Sequence, residues 1–381
     1  MPAALAELLR ARIAGKGPMP FRDFMEAALY HPEHGYYGSG RAKLGRSGDF
    51  YTNVSVGLLF GALLARQFEE MWQRLGQPER FTIVEQGADR GHFARDVMEH
   101  VQRVAPAFLE ALQYVVVEPF ARAAAVQRAT LESWAGKTRW VSSLETLEPF
   151  TGVHFSNELL DAFPVHAVVW TGSEWQERLV DHHDGRFVFT AGPLSEQELG
   201  AQLARVPAPV SAGYEAEVNL ASLDWITQLA RKLVRGFVLA VDYGFSRAEL
   251  YRPERTCGTL SGYSEHRREP DVLSRPGEID LTAHVDFTSL AEHARFAGLG
   301  LHGFTDQHHF MVGVSQLHFD DNTPLTRERE RELRAFKTLM HPNLMGQSFK
   351  VICFEKGGAA STPLAGFTYA RDSRGALGIE G

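Results

Sequence analysis

Two runs of continuous apolar residues, each followed by a helical pattern, stand at the centre of the sequence. The first is FTIVEQ at residues 81–86 and the second is YVVVEP at residues 114–119. Apolar runs without polar alternation are typical of strands that are buried on both faces of a parallel sheet. Three further strands are expected at residues 138–141, 152–158 and 237–244. We therefore predict an α/β fold whose ligand lies beyond the carboxyl ends of its parallel strands.

Helical periodicity surrounds these strands. Short helices are expected at residues 5–13 and 21–29, and the clearest helix at residues 54–75, where apolar residues recur every three or four positions. A hairpin that turns at Asp184-Gly185 is expected at residues 175–192. The sequence thus predicts five segments: an N-terminal helical region with a glycine-rich loop (1–75), the first half of the sheet (76–164), an inserted cap or substrate element (165–225), the second half of the sheet (226–356) and a flexible tail (357–381).

Composition excludes several classes of protein. The 381 residues carry 39 Lys plus Arg against 47 Asp plus Glu, a net charge of −8 without a basic stripe, so a nucleic-acid binder is not expected. A cationic partner would meet no general repulsion. The longest nearly apolar run, residues 56–65, is shorter than the roughly 18 residues that a membrane span needs. With no signal peptide and only Cys257 and Cys353, we expect a cytoplasmic protein.

A glycine-containing turn follows the first strand, with the sequence Glu85-Gln86-Gly87-Ala88-Asp89-Arg90-Gly91. Because Asp89 and His92 replace glycines of the G-x-G-x-x-G fingerprint, a dinucleotide is not favoured. An acid, Glu118, ends the next strand, where it could accept hydrogen bonds from both hydroxyls of a ribose. The pattern suits a nucleoside without a pyrophosphate, such as S-adenosylmethionine. The alternative is a plain tight turn.

A second polar segment, Asn157-Glu158-Leu159-Leu160-Asp161, follows the fourth strand. In a methyltransferase this position faces the methyl group, and paired carboxylates there can hold a guanidinium in a bidentate manner. The alternative is that Asn157 or Asp161 caps a helix. The pairs His182-His183 and His308-His309 lack the spacing of a metal site, so no metal is expected.

Several ordered blocks of this sequence together resemble one family, the MidA-like methyltransferases, over residues 13–357. The blocks are FRDFMEAALYHPEHGYYG near the start, Gly48-Asp49-Phe50-Tyr51-Thr52, the turn at 85–91, the segment 157–162 followed by Pro164, Asp242-Tyr243-Gly244, Gly258-Thr259-Leu260 with Tyr263 and His266, PGEIDLTAHVDFT and MGQSFKV. Mitochondrial members of the family are protein arginine methyltransferases that assist the assembly of respiratory complex I.

The resemblance implies a class I, Rossmann-like methyltransferase sheet with N-terminal helices and an inserted cap or hairpin element. It also implies S-adenosyl-L-methionine as cofactor and a protein substrate, such as a subunit of a respiratory complex. The cofactor-binding residues that it implies are Gly48, Asp49, Thr52, Glu85, Gly87, Ala88, Gly91, Glu118, Pro119 and Asn157. The catalytic residues that it implies are Glu158, Asp161 and His266. The loop at residues 48–52 would close over the cofactor.

The chain departs from the family pattern at three places. Asp89 stands where the family has the middle glycine of the turn, residues 52–55 read Thr-Asn-Val-Ser, and Ser261 follows Gly-Thr-Leu. If Asp89 needs a positive φ, an aspartate tolerates it better than most residues. Asp89 and Ser261 keep open the alternative of an assembly factor with weak catalysis. A second alternative is a methyltransferase of the same fold that acts on a small molecule or a nucleic acid, of which the acidic charge balance disfavours the nucleic acid. His266 could equally be a hydrogen-bonded loop histidine.

Overall fold

The computed structural model describes residues 2–40, 57–207, 211–264, 267–319, 326–341, 346–358 and 362–379. The described chain forms two compact units. The sheet unit comprises Tyr51–Leu159, Trp225–Gly244 and Leu290–Gly381. The hairpin unit comprises Met1–Phe50, Leu160–Asp224 and Phe245–Ser289.

Strands and helices follow one another along both units. The strands are β1 (Met19–Pro20), β2 (Phe81–Gln86), β3 (Leu112–Val117), β4 (Thr138–Val141), β5 (Phe150–Asn157), β6 (His166–Trp170), β7 (Trp175–His183), β8 (Arg186–Gly192), β9 (Glu215–Val218), β10 (Leu233–Phe245), β11 (Ser261–Ser264), β12 (Arg267–Glu269), β13 (Asp280–Thr282), β14 (Val285–Asp286), β15 (Gly300–Asp306) and β16 (Phe349–Lys356). The helices are α1 (Pro2–Lys16), α2 (Phe21–Tyr30), α3 (Leu58–Arg74), α4 (His92–Val104), α5 (Pro106–Ala111), α6 (Ala121–Thr130), α7 (Gln197–Leu203), α8 (Leu220–Lys232), α9 (Arg247–Leu250), α10 (Phe287–Phe296), α11 (Gln307–His318), α12 (Arg327–Met340) and α13 (Ser373–Leu377).

The sheet unit is built on seven strands in the order β15-β16-β10-β5-β2-β3-β4. From β10 to β4 all neighbours pair in parallel. β16 is antiparallel to both β10 and β15. This arrangement confirms the predicted parallel α/β sheet. Because β2 pairs with β3 on one side and β5 on the other, the chain winds in two directions from β2, and ligands of such sheets bind at this point.

Aromatic side chains from two helices and one strand form the centre of the sheet unit's core. The rings of Phe93 in α4 and Phe155 in β5 stack with their centroids 4.5 Å apart. Phe68 of α3 meets Phe155 edge-on at 5.7 Å, and Phe60 lies 5.6 Å from Phe93. All four side chains are buried. Phe60 and Phe68 occupy apolar positions of the helix predicted at residues 54–75, and the structure places both in the core.

The hairpin unit carries a smaller sheet in the order β1-β7-β6-β9, with β8 paired to β7, and every pairing in it is antiparallel. Asp184 and Gly185 join β7 to β8 with φ of 48° and 80°. Two central residues with positive φ define the turn type that matches the twist of a hairpin. The predicted hairpin is therefore confirmed. A second small sheet follows the order β12-β11-β13.

The units divide the chain differently from the five segments expected. α3 belongs to the sheet unit, whereas α1 and α2 belong to the hairpin unit, where Leu9 and Phe24 are buried in one cluster with Val180 of β7. Residues 245–289, expected in the second half of the sheet, also fold into the hairpin unit. The division follows from which apolar side chains pack together. Periodicity along the sequence shows that a helix has an apolar face, but not which other element that face packs against.

The C-terminal tail also differs from the loose segment expected after residue 357. A 3-10 helix at Ala365–Phe367 and α13 form there, and Leu364 and Phe367 are buried in the core of the sheet unit. Glycines make room for this contact: a Cβ at Gly303 would lie 2.3 Å from the Phe367 ring, and one at Gly366 would lie 2.2 Å from the Phe310 ring. Two anchoring residues among glycines and alanines leave no periodic pattern in the sequence.

We expect Phe367→Ala to lower the free energy of unfolding by about 3–5 kcal/mol, because it removes a buried aromatic side chain and leaves a cavity. Urea denaturation followed by tryptophan fluorescence measures the change. The matched control is Phe296→Ala, since Phe296 is 71% exposed and should change the stability by no more than about 0.5 kcal/mol. Equal stabilities of the two variants would show that the tail does not belong to the core.

Candidate functional site

The turn after β2 holds three residues in the left-handed backbone region. Gly87, Asp89 and Gly91 have φ of 82°, 44° and 79°. α4 starts directly after Gly91, which is its N-cap and lacks a side chain to satisfy the first N–H groups. Gly87 is exposed, whereas Ala88 is buried. A turn of this form lets a ligand approach the backbone closely at the start of a helix, and it suits an adenosine-bearing ligand without a pyrophosphate.

Asp89 takes the positive φ that the family's glycine would supply. Its backbone carbonyl accepts a hydrogen bond from Gln127 Nε2 at 3.0 Å. Aspartate is among the few non-glycine residues that adopt this region without large strain. The turn is therefore formed in this chain despite the substitution.

Glu118 lies at the end of β3, one strand away from the turn. Its Oε1 accepts a hydrogen bond from the Phe120 N–H at 3.0 Å, and its Oε2 accepts one from Gln127 Nε2 at 2.7 Å. Burial raises the pKa of Glu118 and the charge of Asp89 adds to the effect, while both donated hydrogen bonds act in the opposite direction. Each carboxylate oxygen has two lone pairs, so one on each oxygen is left for a pair of ligand hydroxyls. Pro119, which follows, is exposed.

Glu85 has a different environment from the other predicted cofactor residues. Its side chain is buried in the sheet, and Oε2 accepts a hydrogen bond from the Tyr114 hydroxyl of β3 at 2.7 Å. Burial raises the pKa of Glu85 to about 7, although the bond from Tyr114 lowers it in part. The contacts of Glu85 therefore join two neighbouring strands.

The segment after β5 is held in a strained conformation beside the glycine turn. Glu158 has a φ of 53°, and its carboxylate accepts a hydrogen bond from Asn157 Nδ2 at 2.9 Å. The next N–H, of Leu159, donates to Asp242 Oδ2 at 3.0 Å. A Cβ at Gly87 would lie 3.5 Å from Leu159 Cδ1, so the structure brings the two segments together. Strained non-glycine residues of this kind are concentrated at functional sites.

Asp161 belongs to the hairpin unit, where it is buried near a second acid. Its carbonyl accepts a hydrogen bond from the Ala283 N–H at 2.9 Å. Burial raises the pKa of Tyr30, and the charges of Asp280 and Asp161 raise it further. The Tyr37 hydroxyl donates to Asp280 Oδ1 at 2.8 Å. Two acids and two tyrosines therefore form one cluster in this unit.

Four predicted residues lie outside the described part of the chain: Gly48, Asp49 and Thr52 of the loop, and His266.

Within the described residues, no group of three or more His, Cys, Asp or Glu side chains could hold a metal ion. The same part of the chain contains no helix with the length and apolar character of a membrane span.

Two residues of the site were not predicted as site residues. Asp242 is buried at the end of β10 and accepts from the N–H groups of Leu159 and Tyr243, so it orders the segment that contains Glu158. The sequence did contain a signal for Asp242, because this residue belongs to the block Asp242-Tyr243-Gly244 that resembles the family. Gln127 is buried in the alanine-rich α6, and a single glutamine in such a helix gives no sequence signal.

The pKa of Glu85 predicts a pH-dependent stability. Because it lies near 7 in the folded protein and near 4.5 in an unfolded chain, the folded state binds more protons between these values. The free energy of unfolding should therefore fall as pH rises from 4.5 to 7, by on the order of 3 kcal/mol. Glu85→Gln should reduce this fall in urea titrations by the share of Glu85, while Glu110→Gln at an exposed position should retain it in full. A fall of equal size in Glu85→Gln would contradict the assignment.

The positive φ of Asp89 predicts opposite effects of two substitutions. Asp89→Gly should keep or slightly raise the stability, whereas Asp89→Val should lower it by about 2 kcal/mol because a β-branched residue is strained there. Thermal unfolding of both variants measures the difference. Asp184, with a φ of 48° in the hairpin turn, is the matched position. Asp184→Gly should likewise be more stable than Asp184→Val. If valine is tolerated at residue 89 as well as glycine, the left-handed conformation is wrong.

Comparison of this chain with known proteins indicates one family. Over residues 63–305 the chain matches the family model described as "Putative S-adenosyl-L-methionine-dependent methyltransferase". The mitochondrial protein arginine methyltransferase NDUFAF7 homolog of Drosophila melanogaster is 29% identical, with 96% of this chain and 89% of that protein covered. The human protein arginine methyltransferase NDUFAF7 is 26% identical over 90% of this chain and 81% of its own length.

Two solved structures from Burkholderia thailandensis agree with the whole fold. One contains bound S-adenosyl-homocysteine and is 31% identical, with a TM-score of 0.85 over 98% of this chain and 97% of that one. The second, a native crystal structure, is 32% identical with the same TM-score, over 98% and 96% of the two chains. The class I fold expected from the resemblance is confirmed. The chain belongs to the MidA-like family of S-adenosyl-L-methionine-dependent methyltransferases.

Proposed function

We propose that this methyltransferase transfers a methyl group to an arginine side chain of a protein. The observation that carries the proposal is the position of Glu158, an acid held in a strained conformation next to the glycine turn. A carboxylate with fixed orientation is suited to a guanidinium, which presents its donors in a planar fork. The names of the relatives, protein arginine methyltransferases, support the same substrate.

The cofactor site of this proposal uses the carboxyl ends of β2, β3 and β5. Glu118 receives the two ribose hydroxyls, for which it has a lone pair on each oxygen. The backbone at Gly87, Ala88 and Gly91 would hold the amino-acid part of the ligand. Pro119 and Asn157, which follow Glu118 and end β5, would also contact it, and Glu85 would support the site by joining β2 to β3. When bound, S-adenosylmethionine supplies a methyl group on a positively charged sulfur that a nitrogen can attack.

The acids of the chain then orient the substrate and accept its proton. An arginine is charged at cellular pH, so the attacking nitrogen must lose a proton during or after methyl transfer. Glu158 is the proposed acceptor, since its carboxylate is oriented by Asn157. Asp161, the other acid of this segment, lies with Tyr30 and Asp280 in the acidic and aromatic cluster of the hairpin unit.

The left-handed conformation of Asp89 argues for a functional cofactor turn. The alternative of an assembly factor with weak catalysis was motivated by Asp89 and Ser261. Because Asp89 adopts a φ of 44° and its carbonyl is bound by Gln127, the turn keeps the form that a glycine would give it. Active methyl transfer therefore remains the proposed function.

Binding of S-adenosylhomocysteine tests the cofactor site. Titration calorimetry of the full chain should give a Kd in the micromolar range, and Glu118→Ala should weaken binding about tenfold or more, because it removes charged hydrogen-bond acceptors. The control Glu110→Ala removes an exposed glutamate from the same unit and should not change the Kd. Unchanged binding in Glu118→Ala would place the ribose elsewhere.

Methyl transfer from labelled cofactor tests the substrate. The purified chain and S-adenosylmethionine with a deuterated methyl group are added to an extract of cells that lack the gene. Mass spectrometry should find the label on arginine, and Glu158→Gln should lower the rate by about 100-fold, as expected for loss of a general base. Glu110→Gln should retain the rate. Label on lysine or on small molecules instead would overturn the arginine proposal.

A further inference from the structure

Gln127 uses every polar group of its side chain at the edge of the cofactor site. It lies in α6 and is 0% exposed. Its Nε2 donates to the Asp89 carbonyl at 3.0 Å and to Glu118 Oε2 at 2.7 Å. Its Oε1 accepts a hydrogen bond from Trp140 Nε1 of β4 at 3.0 Å. One side chain thus connects the turn after β2, the acid after β3 and the strand β4.

The bond from Trp140 fixes which way the amide of Gln127 points. An indole N–H can only donate, so it must meet the carbonyl oxygen of the amide, and the NH₂ group must then face the opposite side. Both of its hydrogens are directed at oxygens, the Asp89 carbonyl and the Glu118 carboxylate. The Arg128 guanidinium lies over the indole ring, 4.3 Å from its centroid.

We propose that Gln127 is a positioning residue that holds the Glu118 carboxylate in the orientation needed to receive the two ribose hydroxyls of the methyl donor. The inference rests on the ribose-binding role proposed for Glu118. The Phe120 N–H holds Oε1 and Gln127 holds Oε2, so the plane of the carboxylate is defined by two donors. Without Gln127, one oxygen loses its donor and the carboxylate can rotate.

The same amide links the acid to the glycine turn. Because its two hydrogens bind Asp89 and Glu118 together, the distance between the turn and the acid is set by the width of one NH₂ group. A ligand that spans both, with its ribose on Glu118 and its amino-acid part at the turn, would find them already at a fixed separation. Such preorganisation increases affinity because less ordering remains for the binding step.

Ribose selectivity separates positioning from a merely structural role. The experiment compares S-adenosylhomocysteine with its 2′-deoxy analogue by titration calorimetry, using the full chain and the variants Gln127→Met, Trp140→Phe and Glu118→Ala. The control is Gln67→Met, since Gln67 is an equally buried glutamine of the sheet unit that binds Glu70 and Gly366 instead. Gln127→Met should weaken the binding of S-adenosylhomocysteine about tenfold. It should also reduce the preference for the ribose ligand over the 2′-deoxy ligand towards the value of Glu118→Ala.

The variants distinguish each outcome. Gln67→Met should lower the thermal stability without changing the ribose preference. If Gln127→Met does not fold, Trp140→Phe still tests the inference. It removes the N–H that binds the Gln127 carbonyl, at a strand that is partly exposed, so it should reduce the ribose preference in the same direction. If Gln127→Met or Trp140→Phe folds and keeps the full ribose preference while Glu118→Ala is impaired, the role of Gln127 is overturned and the cofactor site is not. If Glu118→Ala itself binds normally, the proposed cofactor site fails and this inference fails with it.

Discussion

The pairing of β2 on both of its edges determines where the chemistry of this protein can lie. β2 hydrogen-bonds to β3 and to β5, and all but its last residue are buried. A strand in this position cannot shift along its neighbours without exposing apolar side chains and breaking two ladders of hydrogen bonds. The carboxyl ends of three strands are therefore fixed side by side, and the polar residues that follow them meet at one edge.

Unfavourable backbone conformations at this edge are stabilised by buried polar groups. Asp89 and Glu158 both have positive φ, which costs roughly 1–3 kcal/mol for most non-glycine residues and less for an aspartate. Gln127 binds the carbonyl of Asp89, and the Asp242 carboxylate accepts the N–H that follows Glu158. Hydrogen bonds to charged or buried groups are of comparable magnitude. The site is thus a small set of strained residues, each held by a side chain from another element.

Local patterns in the sequence were sufficient to predict the five parallel strands of the sheet. Continuous apolar runs predicted β2 at its exact bounds, and the glycine turn, Glu118 and Glu158 lie directly after β2, β3 and β5, as predicted. Contacts distant in sequence were not predictable in this way. Gln127 lies nine residues after Glu118 in a helix whose pattern gives no reason for a buried amide, and its role depends on Trp140 of a different strand. The environment of Glu85 was missed for the same reason, since the Tyr114 hydroxyl that binds it lies across the sheet.

The late position of β16 has a consequence for the synthesis of the protein. This strand pairs with both β10 and β15, so the sheet has an open edge on β10 until residues 349–356 have been made. The tail that follows then adds Leu364 and Phe367 to the core. On the ribosome, the sheet unit cannot close before residues 349–356 have emerged, and the unpaired edge of β10 is prone to aggregate during that time. The nascent chain is therefore exposed to this aggregation risk for as long as β16 remains in the exit tunnel.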